Sequence, residues 1–202
     1  MLPFKKYKAG YIETAVFPLE YIYITQGEDG SYSHKGSYAI DFAGRDAYGT
    51  LTRCPYYAPC DLKLVATPDP ANHLYIYESI QRVYLIDGSY DYITLAVAHD
   101  DDSYTIGRTV LQGELLGKTG TYGNVTGDHV HMEGKKGLYE GMYHNNYGTY
   151  MLVNEGHLYD ILGTNDTIIE RGYGYNWRNF DTIFGRKKHF PWFIYYGLYA
   201  MK

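Results

Sequence analysis

Cysteine is scarce in this chain. Cys54 and Cys60 are its two cysteines, too few for a disulfide framework, and the five residues between them are the wrong spacing for a paired-thiolate zinc site. A single local bridge and two reduced, semi-buried thiols both stay open. Proline is short as well, at 7 against 23 glycines, which argues against proline-rich linkers and for tight glycine turns. Positive charge is outweighed: 18 Lys plus Arg stand against 23 Asp plus Glu, a formal net charge of −5, which excludes the basic footprint of a nucleic-acid binder. Long apolar runs are missing. The most apolar stretch, residues 190–201, falls short of the roughly 20 residues a helix needs to cross a bilayer, so it reads as a buried element or a docking segment. Lysines come early at the N-terminus, but no apolar core and no small-residue cleavage site follow, so no cleaved secretory signal is expected. There is no internal repeat, no His-Glu-x-x-His and no Gly-x-Ser-x-Gly, and Gly113-Glu114-Leu115-Leu116-Gly117-Lys118-Thr119 has one residue too few between its glycines for a phosphate-binding loop.

What the chain does have is apolar content and tyrosine. With 202 residues, 45% of them apolar, it can bury a sizeable core as one domain with an appendage. Its 26 tyrosines suit pleated, half-buried surfaces where the hydroxyl faces water, so the fold class expected is mainly β, built on an antiparallel sheet. Short apolar or alternating runs bounded by Gly or Asp predict strands at 21–25, 38–42, 62–66, 73–79, 82–86, 92–99 and 130–133. Beyond them, 143–150 is polar and tyrosine-rich, 158–162 reads as a helical turn and 167–170 as a strand. The chain divides softly near 137–141, into a domain at 1–140 and an extension at 141–202.

Three histidine contexts carry chemistry. His129-Val130-His131 places two imidazoles on one face of a strand, because side chains alternate with a period of two. His34 and Asp41 cannot share a face of one regular strand, but a turn at Lys35-Gly36-Ser37 would bring them together. It would leave Asp41 between Ala39-Ile40 and Phe42, where a lone carboxylate is costly unless it is paired or bound to a cation. His99 closes the alternating run Ile93-Thr94-Leu95-Ala96-Val97-Ala98 and so is expected on the face of Ile93, Leu95 and Val97, pointing toward a pocket or the end of a core.

In this order the residues resemble the M23 (LytM/lysostaphin-type) zinc metallopeptidases. The likeness rests on His34 with the apolar-Asp-apolar strand at Asp41, on Tyr57-Ala58-Pro59-Cys60-Asp61, on the isolated His99, on the glycine-bearing segment from Ile106 to Gly117, and on Thr126-Gly127-Asp128-His129-Val130-His131-Met132-Glu133. Six residues separate His34 from Asp41 where three is commoner, Asp128 replaces a small residue or proline, Leu62 replaces a glycine and Met132 an aromatic. The resemblance implies an antiparallel M23-like core, with His34, Asp41 and His131 as ligands of a Zn2+ ion whose open fourth position takes water. It leaves His129 and His99 for proton transfer and oxyanion stabilisation, with His129 preferred as general base. The implied activity is that of a zinc metalloendopeptidase cutting amide bonds in bacterial peptidoglycan cross-links or bridges. A phage source is implied too, either a tail-associated lysin on the virion or an endolysin released at the host wall, with the aromatic segment 190–196 docking on other tail proteins. The competing expectation is a catalytically silent M23-like structural or wall-binding component of a phage tail. Most tyrosines are read as sheet formers, and His73, His144, His157 and His189 as structural or surface residues.

Overall fold

The computed structural model describes residues 1–165 and 167–169. Seven strands form the main sheet: β1 (Ile24–Gln26), β2 (Ile40–Phe42), β3 (Leu62–Asp69), β4 (Leu74–Ser79), β5 (Ile93–Ala98), β6 (Thr109–Val110) and β7 (Val130–Lys136). Their order across the sheet is β6-β3-β4-β5-β7-β2-β1, and every neighbouring pair is antiparallel. A hairpin of β8 (Met142–His144) and β9 (Tyr150–Leu152) follows, then a single helical turn, α1 (Leu158–Ile161).

Alternation along these strands sorts the side chains into two layers. Ile40 and Phe42 of β2, Leu95 and Val97 of β5, and Val130 and Met132 of β7 enter the larger core together with Phe17, Leu19 and Tyr56. Ile76, Ala96 and Ala98 face the other way, where Leu152, Met142 and Tyr150 of the hairpin pack on them. All six residues of β5 are buried because both faces of the sheet are covered there, so this strand reads as a nearly continuous apolar run. Gly134 of β7 lets α1 approach closely: a Cβ at this position would stand 2.8 Å from Leu158 Cδ2.

The expected strands are found with shifted ends. β3 runs on to Asp69, the predicted 82–86 shortens to Val83–Tyr84, and the strand at 38–42 begins at Ile40. The turn expected at 158–162 is α1, and Ile168–Ile169 pairs in parallel with Tyr21–Ile22. No element was expected at 143–150, where the structure has the hairpin. Its strands are only three residues long, too short for alternation to register, and its turn is closed by the Asn145 side chain, which accepts from the backbone N–H groups of Tyr147 and Thr149 at 2.9 and 3.1 Å. Cys54 and Cys60 are both free and buried, and burial pushes both thiols above their usual pKa. In the phosphate-loop look-alike, Leu115–Lys118 is a strand paired with Pro55–Tyr57, with no helix behind it. The aromatic run at 190–201, the docking segment within it and His189 lie outside the described residues.

Phe42 is fully buried and meets Phe17 edge-on at 5.0 Å between ring centroids. Phe42→Ala is expected to cost about 3–5 kcal/mol of stability, read as a lowered denaturation midpoint with an unchanged slope.

Candidate metal centre

Asp41 sits at the middle of β2 between two residues committed to the larger core, so its side chain points to the opposite face of the sheet. Register places it directly across from His131 of β7. His34 reaches the same spot from a loop. The chain turns back after it, with Ser37 N–H donating to the His34 carbonyl at 2.9 Å and Gly36 in the left-handed region at φ 71°. This is the turn that the odd spacing of His34 and Asp41 requires.

Three donor atoms converge there. His34 Nε2 lies 3.2 Å from His131 Nδ1 and 3.2 Å from Asp41 Oδ1, and His131 Nδ1 lies 3.1 Å from Asp41 Oδ1. Ligands bonded at zinc's usual ~2.0–2.1 Å in a tetrahedron stand about 3.3–3.4 Å apart, so this triangle is close to one face of such a tetrahedron. His34, Asp41 and His131 can therefore hold a metal ion.

Each of the three is oriented from behind. His34 Nδ1 is 3.2 Å from the Gly27 carbonyl. A carbonyl only accepts, so Nδ1 carries a proton, and the neutral ring then turns its Nε2 lone pair toward the triangle. His131 Nε2 is 3.0 Å from the buried Glu133 carboxylate, which in turn accepts from Leu152 N–H at 2.7 Å. Asp41 Oδ2 accepts from Gln26 Nε2 at 3.1 Å. Such outer partners fix tautomer and ring orientation in metal sites.

The charges are strongly coupled. Burial disfavours ionised Asp41, but hydrogen bonds and positive charge from His131 and His34 outweigh it and hold its carboxyl well below the usual carboxylate range. Burial likewise works against a charged His131, yet hydrogen bonds to Asp41 and Glu133 on its two sides push its pKa up to about 10 without metal. The Asp41 and Glu133 carboxylates thus favour positive charge between them.

His129 and His99 flank the triangle. His129 Nδ1 lies 2.8 Å from the Gly127 carbonyl, and its Nε2 points inward, 3.7 Å from Asp41 Oδ1. His99 Nδ1 lies 2.9 Å from the Tyr122 carbonyl, and its ring centroid is 4.8 Å from that of His129 and 6.1 Å from that of His131. The same tautomer argument leaves both Nε2 atoms as proton acceptors facing one space. Burial, then the charges of His131 and His129, lower the pKa of His99 to about 4. Two adjoining clefts open from this space, one past Gln26 and Val125, the other between Asn72 and the hairpin tip at Tyr147.

All five expected residues are therefore gathered at one place. One expectation about them is corrected: His99 does not share a face with Ile93, Leu95 and Val97. The strand ends at Ala98, and His99 itself is left-handed at φ 79°, so alternation stops there and its ring turns to the face of Ala98 and His131. Gln26 and the Gly27 carbonyl were not foreseen. Glu133 carries a readable signal, since it continues the two-residue period of His129 and His131. Of the remaining histidines, His73 stacks on Tyr122 at 3.4 Å, His144 lies against Tyr150, and His157 binds Glu28 at 2.9 Å.

Comparison with known proteins adds a relative. Over 178 residues the chain is 39% identical to Morphogenesis protein 1 of Bacillus phage B103, a match covering 86% of this chain and 46% of that one. The chain is similar to a phage morphogenesis protein. It spans about half the length of that curated relative. No family model matches. Among solved structures, it is similar to a zinc-containing peptidase from Vibrio cholerae, at 19% identity and TM-score 0.39 over 59% of this chain and 37% of that one. The catalytic domain of lysostaphin from Staphylococcus simulans gives 17% identity and TM-score 0.37 over 63% and 84%. The deep-sea M23 metalloprotease pseudoalterin gives 16% identity and TM-score 0.37 over 72% and 75%. Among the described residues, no helix is long and apolar enough to cross a membrane.

Proposed function

We propose that the chain is an M23-type zinc endopeptidase that cuts amide bonds in the cross-links or bridges of bacterial peptidoglycan. The observation that carries this reading is the convergence of His34 Nε2, Asp41 Oδ1 and His131 Nδ1 to within 3.2 Å, with two further imidazoles opening onto the same cleft. A neutral-nitrogen and carboxylate-oxygen set of three matches catalytic rather than structural zinc chemistry. Zinc held there supplies Lewis-acid polarisation of a carbonyl and lowers the pKa of water toward about 7. His129 accepts the proton of the attacking water at Nε2 and returns it to the departing amine, and Gly127 keeps its ring in the required tautomer. His99 offers a second acceptor on the other side of the space, locked by Tyr122. Glu133 and Gln26 hold His131 and Asp41 still while bonds change.

The setting proposed is a phage particle, as a tail-associated lysin that opens the wall during infection, with partners in the tail assembly. Similarity to a morphogenesis protein of a Bacillus phage supports it. The same similarity favours a second reading, a catalytically silent structural component of the virion.

Turbidity of purified walls of several cross-link types separates the two. The protein as purified is expected to clear at least one wall type, to lose that activity on chelation and to regain it with one equivalent of zinc. Zinc bound at unit stoichiometry with no cleavage of any wall would favour the silent component.

A further inference from the structure

The turn between His34 and Asp41 is held from a distant part of the chain. Asn145 Nδ2 donates to the carbonyls of Lys35 and Gly36 at 2.9 and 3.3 Å, and Thr149 Oγ1 donates to the Lys35 carbonyl at 2.8 Å. Glu155 takes the other end of the turn, accepting from Ser37 Oγ at 3.0 Å and from Tyr38 N–H at 2.8 Å. Behind these, His157 binds Glu28 at 2.9 Å and its ring lies 4.0 Å from that of Tyr38. The approach is close: a Cβ on Gly36 would fall 2.8 Å from the Tyr147 ring and 2.9 Å from Asn145 Nδ2. Partners more than 100 residues away in sequence thus meet one short segment that lies between two metal-ligand candidates.

The five residues 35–39 between His34 and the start of β2 form a loop that has many conformations when unsupported, and each would place His34 differently against Asp41 and His131. Asp41 and His131 are fixed by the sheet, whereas His34 is not on a strand. Its ring and backbone are held by the Gly27 and Gly30 carbonyls, and Asp29 ties the turn locally by accepting from Gly36 N–H at 2.9 Å and donating to the Ser37 carbonyl at 2.8 Å, so the distant contacts act together with these on the placement of His34.

We infer that residues 142–157 act as a brace that positions His34 in the metal triangle, with Asn145, Thr149 and Glu155 as the positioning residues. This rests on the reading of His34, Asp41 and His131 as the zinc ligands. The three side chains touch no ligand atom. They act through the backbone of residues 35–38, so their loss should loosen metal without emptying the sheet.

The test is zinc affinity, measured by competition with a chromophoric chelator, and the absorption spectrum of the cobalt-substituted protein, for the full chain and four variants. Thr149→Val removes one hydroxyl at nearly constant volume and is the selective cut, whereas Asn145→Ala removes both carbonyl contacts together with the acceptor that closes the hairpin turn. Glu155→Ala removes the acceptors for Ser37 and Tyr38, whereas Glu155→Gln keeps an acceptor for Tyr38 and offers Ser37 Oγ a donor. Asn145→Ala and Glu155→Ala are expected to weaken zinc binding about tenfold or more and to alter the cobalt spectrum, at unchanged far-UV circular dichroism. Thr149→Val should weaken it less, and Glu155→Gln should restore the parent's affinity. Parent-like affinity and spectrum in Asn145→Ala, Thr149→Val and Glu155→Ala would overturn the brace while leaving the zinc site intact. Failure of the parent itself to bind zinc would overturn the ligand reading and the brace together. If Glu155→Ala does not fold, Thr149→Val still decides, because unaltered affinity there contradicts the inference.

Discussion

His131→Ala is expected to leave the protein without stoichiometric zinc after dialysis and without wall-clearing activity. The sheet places His131 directly opposite Asp41, and its Nδ1 stands within 3.2 Å of both remaining donors. Removing it leaves one imidazole and one carboxylate, fewer protein ligands than a catalytic zinc site uses. It also strips Asp41 and Glu133 of the imidazole between them, two carboxylates at buried positions. An uncompensated buried charge costs about 3–5 kcal/mol, so the variant should lose stability at neutral pH as well as metal. Metal analysis and a thermal melt on the same preparation check both parts. Full zinc occupancy in His131→Ala would remove this residue from the ligand set.

His129→Ala is expected to behave in the opposite way, retaining zinc while turnover falls by about 10²–10⁴-fold. Its Nε2 stands 3.7 Å from Asp41 Oδ1, farther than the mutual distances of the three ligand candidates. That geometry suits a group that handles a proton beside the metal better than one bonded to it. The two measurements, zinc content and rate of wall clearing, must separate. Equal zinc loss in His129→Ala and His131→Ala would reverse the division of roles.

Much of this centre is legible before any coordinates. Asp41 can be picked out because a carboxylate flanked by Ile40 and Phe42 demands compensation, and His129 with His131 because a period of two puts them on one face. The turn at residues 35–37 follows from the odd spacing of His34 and Asp41. His99 shows where such reasoning stops. Its face follows from alternation only while the strand lasts, and a single left-handed residue at φ 79° sends it to the other side of the sheet. The partners of the candidate ligands are less visible in the sequence. Gln26 acts through β1, whose register with β2 shifts between Ile24 and Gln26, and no local pattern announces such an irregularity. The hairpin of β8 and β9 has no signature in the sequence because tertiary packing of Met142 and Leu152 on the second face of the sheet decides it, not propensity within three-residue strands.

The pairing of β2 with β7 joins residues 90 positions apart, and the contacts of 142–157 lie later still. A ribosome delivering roughly 5–20 residues per second emits His34 and Asp41 several seconds before His131. Throughout that interval the nascent chain carries two of the three donors and no surface against which to set them. If zinc is the ion that the triangle takes, its capture is a late event in the life of each molecule, and uptake of zinc by a refolding sample would time the docking of distant segments instead of the collapse of the core.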